Sequence, residues 1–125
     1  MNIENIILID SKFNVVKPVQ GQIDNQISMN TQVAKVKDLK TTAQVKIQLT
    51  LKAHDSTEVF GTLEETYFVP VEFDADDILQ EQIVGKAVTR QMIPLLSSDV
   101  NFYLAKACLP TLPPPVMLKI LKNQQ

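Results

Sequence analysis

Residues 43–53 read Ala-Gln-Val-Lys-Ile-Gln-Leu-Thr-Leu-Lys-Ala, apolar at every odd position and polar at every even one. That period of two puts successive side chains on opposite faces of a strand, one row toward a core and one toward water. On a helix, Val45, Ile47, Leu49 and Leu51 would be spread around the axis instead. His54-Asp55-Ser56-Thr57 follows with turn chemistry. Extended character resumes over 58–71, where Val59, Leu63, Tyr67, Val69 and Val71 share one parity and Phe60 and Phe68 the other. Pro70 marks a strand end or an edge, because it cannot donate to a ladder. The stretch 43–71 is therefore a hairpin. A sheet apolar on one face must be covered by a second layer.

Upstream, 3–9 and 13–19 are rich in β-formers, split near 10–12. Residues 25–37 carry Ile27, Met29 and Val33 on one parity, then Ala34 and Val36 on the other, a switch that predicts a bulge. About four strands joined by short loops predict an antiparallel β-meander. Character changes at Phe73. Asp74-Ala75-Asp76-Asp77 suits a helix cap, Glu81 favours the early turns, and Ile78, Leu79, Ile83, Ala87 and Val88 recur at helical spacing. Pro94 inside a helix removes one hydrogen bond and crowds the preceding turn, so it predicts a break and a second helix over roughly 91–107. Pro110 and Pro113-Pro114-Pro115 end that helix and force an extended crossover. Residues 116–121 suit a last short helix. Strands first and helices after, without alternation, define an α+β fold with an antiparallel sheet, in one domain over 1–125.

The remaining inventory removes function classes. A chain of 125 residues, 45% hydrophobic and 21% charged, is neither disordered nor dependent on cross-links. A net charge of −2 gives no positive field for nucleic acid or an anionic membrane. Gly21, Gly61 and Gly85 are too dispersed for a phosphate-cradling loop, so no nucleotide cofactor is expected. Cys108 has no second thiol and His54 no histidine partner, so neither a disulfide nor a zinc site is expected. The apolar run at 6–9 is too short for a signal peptide or a membrane span, which suggests a soluble, cytoplasmic chain. His54, Asp55 and Ser56 are three consecutive turn residues, poor geometry for a triad.

Nine acids lie between Ala53 and Gly85 with no lysine or arginine among them. They lack the spacing and central glycine of an EF-hand loop, and a small hydrolase built on them has no other support. Glu64, Glu72, Asp74, Asp76 and Asp77 are expected in solvent. Lys46 and Lys52 can pair across the hairpin with Glu58, Glu64 or Glu65. An acidic docking surface is the alternative.

Residues 94–116 resemble the SecB family of protein-export chaperones. Ile93-Pro94 and Leu109-Pro110-Thr111-Leu112, followed by Pro114-Pro115-Val116, are similar to its helix-start proline and proline crossover. The crossover is about one residue shorter than usual, and Thr111 stands where a proline is usual. Gly85-Lys86-Ala87 resembles the family's Gly-Ala element. Ile6-Ile7-Leu8-Ile9-Asp10-Ser11-Lys12-Phe13 resembles its first strand and Gln26-Ile27-Ser28-Met29-Asn30-Thr31 its second. The resemblance spans about 3–121. It implies a four-stranded sheet, a long helix, a crossover and a short C-terminal helix, assembled as a dimer of dimers. It implies a non-enzymatic, ATP-independent chaperone for unfolded or pre-secretory polypeptides. Coupling to the SecA motor would use an acidic tail, and Lys122-Asn123-Gln124-Gln125 is not acidic. A dedicated partner, including an antitoxin, is the alternative, as is an assembly subunit with one fixed partner.

Two sites follow. An interface with another subunit is expected at Leu95, Leu96, Phe102, Tyr103 and Leu104, because one small sheet covers only one face of a helix, and the resemblance implies that it builds a homotetramer. A client groove is expected at Phe60 and Phe68, roofed by Leu109, Leu112, Val116 and Met117 of the crossover. For the two phenylalanines a bulge that returns them to the core is the competing reading.

Overall fold

A computed structural model describes residues 3–16, 23–36, 41–53, 58–71 and 78–124. The order of elements is β1 (Ile7–Val15), β2 (Ile23–Lys35), β3 (Ala43–Ala53), β4 (Val59–Val69), α1 (Ile78–Lys106) and α2 (Pro114–Lys122). The four strands form one antiparallel sheet, and both helices are built from the chain after it. The α+β arrangement thus agrees with the sequence reading. The turn at 54–57 and the acids at 72–77 lie outside the described residues.

The strand order is β1-β4-β3-β2. Only β2, β3 and β4 follow one another as a meander; β1 lies against β4, which corrects the simple meander. β4 is thereby a central strand, buried at nearly every inward position, and β1 and β2 are the edges. Pro70 stands just past the end of β4. The split expected near 10–12 is absent. Asp10 and Lys12 share the outer face and pair at 3.2 Å, so their charge does not interrupt the strand. The irregularity of β1 lies instead between Leu8 and Asp10. The bulge expected near 33–34 is also absent, since Val33 pairs Val45 and Ala34 pairs Gln44 in continuous register.

The inner row of β3, Ala43, Val45, Ile47, Leu49 and Leu51, is completely buried. Val84, Val88, Ile93, Leu96, Val100 and Leu104 of α1 and Met117 and Leu121 of α2 join it in one core. α1 is a single helix, so the predicted break at Pro94 is corrected. Pro94 stands on the exposed side, beside exposed Arg90 and Leu95. Water can satisfy the carbonyl left without a donor there, and the buried row runs past it uninterrupted.

α1 closes with Cys108 at φ 59°, the left-handed position usually given to glycine. Leu109 N–H donates to the Leu104 carbonyl at 2.8 Å and Cys108 N–H to that of Ala105 at 3.0 Å. This double cap turns the chain into the crossover. Asn101 then fixes the crossover: its Nδ2 donates to the Leu112 carbonyl at 2.8 Å, and Leu112 N–H donates to its Oδ1 at 3.2 Å. α2 begins two residues earlier than 116, because Pro114 and Pro115 fit a first turn that needs no N–H partners.

Candidate functional site

Edge strand β2 turns Met29, Thr31 and Val33 toward the helices, yet all three are only half-buried. Their partners on β3, Leu49, Ile47 and Val45, are completely buried. The difference marks an open groove of about 540 Å³ between β2 and the N-terminal half of α1. Its floor is apolar or hydroxylic, with Gly85 and Thr89 of α1 opposite the β2 side chains. Glu81, Lys86 and Arg90 give it a charged rim.

Gly85 sets the depth of this groove. A Cβ there would stand 3.1 Å from Val33 Cγ2 and 3.5 Å from Thr31 Cγ2, so glycine lets helix and strand approach closely. Buried Thr89 donates to the Gly85 carbonyl at 2.7 Å. Its one hydrogen is then used, so Thr31 donates to Thr89 Oγ1 across 3.0 Å. A second depression, about 470 Å³, runs along α2 beside Pro115, Val116 and Ile120. Gln124 lines both, so the two hollows abut at the end of α2.

The residues predicted for a client groove do not come together. The register slips between Leu51↔Gly61 and Lys52↔Val59, which turns Phe60 inward, and its ring is 1% exposed in the core. The competing reading, a bulge, therefore holds for Phe60. Phe68 pairs with Gln44 and lies half-buried on the sheet face turned away from the helices. Leu109 and Leu112 pack on the core from the helix side, Met117 is completely buried, and Val116 is exposed beside the second depression. The open groove of this structure is lined by β2 and Gly85 instead. Their signal in the sequence was weak: a threonine in an otherwise apolar row and a glycine inside a helix.

The predicted interface residues divide likewise. Leu96 and Leu104 are completely buried in the chain's own core. Leu95 is 58% and Phe102 61% exposed, on one stripe of α1 two turns apart. Tyr103 is half-buried, stacked on Phe13 with centroids 5.3 Å apart, and Phe102 meets it edge-on at 5.7 Å.

Beneath that stack lies a polar cluster. Glu65 is on the inner face of β4 and 1% exposed, against the expectation of a solvated or cross-strand pair. Ser11 Oγ donates to its Oε2 and Tyr67 Oη to its Oε1, each at 2.8 Å. The Asp99 carboxyl of α1 acts on it from the helix side. Burial pushes the Glu65 carboxyl above the usual range, and Asp99 pushes the same way against the lowering effect of Ser11 and Tyr67. Burial and the neighbouring Glu65 carboxyl hold the Tyr67 phenol well above its ordinary value. Glu64 does form the expected cross-strand pair, with Lys46 at 3.6 Å on the outer face. Among the described residues no group of histidine, cysteine and acids could hold a metal ion.

An antiparallel four-stranded sheet under one long helix, a proline crossover and a short closing helix is the SecB-like fold. The chain is similar to the SecB-like chaperone Rv1957 of Mycobacterium tuberculosis, solved in complex with a ChAD peptide from the HigA1 antitoxin Rv1956. The match covers 89% of this chain and 83% of that one, with a TM-score of 0.56 and 16% identity. A protein of unknown function from Streptococcus agalactiae aligns over 87% of this chain and 91% of its own, with a TM-score of 0.32 and 8% identity, too slight to bear on the fold. No family model and no curated protein matches the sequence. Among the described residues no helix is long and apolar enough to cross a membrane.

Proposed function

We propose that this chain is a non-enzymatic holding chaperone that seats an extended polypeptide segment in the groove between β2 and α1. The observation that carries this reading is an apolar-floored groove running beside an edge strand. No further strand pairs with β2 among the described residues, so its outer backbone groups are available to an added strand. Main-chain pairing demands no particular sequence, and apolar side chains entering the groove gain about 25 cal/mol per Å² buried. Binding of this kind needs neither nucleotide nor catalytic group. Exposed Val116, beside the second depression, extends the apolar surface along α2.

The fold shared with a chaperone whose structure contains an antitoxin peptide supports a polypeptide ligand. It favours, as second reading, one dedicated partner over many unfolded clients, in place of a role in protein export. The proposed setting is the cytoplasm. Exposed Leu95 and Phe102, with the exposed apolar residues Ile7, Leu8 and Val15 of β1, are the surface on which a homotetramer would be built.

The test is suppression of aggregation of a chemically unfolded protein, without ATP. Stoichiometric wild type should suppress it. Val33→Glu, which places a charge on the groove floor, should lose suppression at least tenfold while keeping a native circular dichroism spectrum. A folded Val33→Glu protein that holds the client as wild type does would place the seat elsewhere. Capture of a single partner with no general suppression would select the dedicated reading.

A further inference from the structure

The two walls of the groove between β2 and α1 repeat in step. Glu81, Gly85 and Thr89 recur every fourth residue along α1, and Gln82, Lys86 and Arg90 form a second row one position on. The first row is matched to β2. Gly85 stands against Val33 and Thr31, and Thr89 meets Thr31 at 3.0 Å, so α1 and β2 run in opposite directions along the groove. Four residues of helix advance about 6 Å and two residues of strand about 6.8 Å. An extended segment laid along β2 therefore presents the side chains of one parity, one for each turn of α1, to the second row.

That second row is basic. Gly85 and Thr89 are buried, whereas Lys86 and Arg90 are exposed. The hollow along α2, which abuts the groove at Gln124, adds Lys119. Among the described residues lining the two hollows, three are cations and one, Glu81, is an acid. Glu81 stands one turn before Gly85, toward the C-terminal end of β2, which leaves the length beside Thr31 and along α2 positive. This local sign opposes that of the chain, whose net charge is −2. The difference lies in the helical part. Over 78–125, Lys86, Arg90, Lys106, Lys119 and Lys122 are set against only Glu81 and Asp99.

We propose that the groove selects acidic segments: its occupant is an extended polypeptide whose groove-facing row carries two carboxylates, two residues apart, against Lys86 and Arg90, among apolar side chains. This rests on the reading of the groove as a polypeptide seat and adds which polypeptides it takes. Main-chain pairing along β2 is blind to sequence, and the wall of α1 is not. A basic side chain in the seated segment meets like charge, and a carboxylate meets opposite charge over an apolar floor that excludes part of the water. Glutamate fits both surfaces, because its methylenes cover the floor while its carboxylate reaches the rim.

The test uses the full chain and three labelled peptides of about twelve residues, built on alternating valine and threonine and read by fluorescence anisotropy. The first carries two glutamates two residues apart, on one face of a strand. The second carries them on adjacent residues, on opposite faces. The third carries glutamines in place of the first pair. In low salt the first should bind about fivefold more tightly than the third and more tightly than the second, and this preference should vanish at 1 M salt. Lys86→Glu should erase it, read as the ratio of affinities for the glutamate and glutamine peptides, and Arg90→Gln serves should Lys86→Glu fail to fold. Val33→Glu should weaken all three peptides. If the glutamine peptide binds and Val33→Glu releases it, the seat stands, and equal affinity for the first and third peptides then overturns acidic selection alone. A preference that ignores the spacing, or survives in folded Lys86→Glu, would also overturn it, because the attraction would then come from elsewhere on the surface. If no peptide binds, or all bind Val33→Glu as they bind wild type, the seat itself fails and the selection with it.

Discussion

Glu64 and Glu65 are consecutive on β4 and point to opposite faces of the sheet. Glu64 meets Lys46 on the outer face, with both side chains about a third exposed. Glu65 lies under α1, held by hydrogen bonds from Ser11 and Tyr67, with the Asp99 carboxyl pushing its pKa up. On the outer face water carries most of the cost of a charge and screens its pairing. On the inner face water is gone, and only hydrogen bonds and a proton can settle the charge. The sheltered layer is thus where single atoms matter most and where pH enters the fold.

The largest separation of the two layers is expected at adjacent leucines of α1. Leu96 is completely buried and Leu95 is 58% exposed. In urea unfolding at low protein concentration, Leu96→Ala should cost about 2–5 kcal/mol and Leu95→Ala under about 0.5 kcal/mol. Equal costs would mean that Leu95 is also covered. If its cost then grows with protein concentration, a second copy covers it, which would sharpen the proposal that Leu95 and Phe102 form an interface.

Tyr67→Phe comes next. It removes a buried donor to Glu65 at a cost of about 1–2 kcal/mol at neutral pH. The lost bond favours the carboxylate, so its removal should also move the midpoint of Glu65 ionisation, read by NMR of its side chain, to higher pH. A midpoint that falls would contradict the hydrogen assignment. Asn101→Ala should cost about 1 kcal/mol, because two half-buried bonds to Leu112 are lost while water can replace part of them. Its clearest readout is local: faster hydrogen exchange at the Leu112 amide with unchanged exchange in β3.

What could be read from the residues follows the same division. The β3 strand, the hairpin and the order of strands before helices were legible, because a one-face apolar period depends only on local geometry. The pairing of β1 with β4 was not, since it is settled by which strand the core needs at its centre. Pro94 misled because its cost depends on whether its side of the helix faces water, which the chain order does not state. For Phe60 the residues leave a groove and a bulge equally open, because a one-residue slip that reverses a side chain's face leaves no mark in the apolar pattern. Glu65 was hidden because a buried acid looks like any other until its partners, 54 residues away at Ser11 and on α1 at Asp99, are brought to it.

The smallest effect expected is at Glu64 itself, and it is the control for everything said of Glu65. Glu64→Gln removes a pair at 3.6 Å whose two side chains remain 31% and 38% exposed. Exposed ion pairs gain little, because holding two long side chains opposes the screened attraction. The variant should lose under about 0.5 kcal/mol in low salt, and that loss should shrink further at 1 M salt, where the screening length is about 3 Å. The midpoint of Glu65 ionisation should keep its wild-type value, because Glu64 and Glu65 stand on opposite faces. A large loss, or a shifted midpoint, would show that charge on the outer face is felt through the sheet and that the two layers are not electrostatically separate.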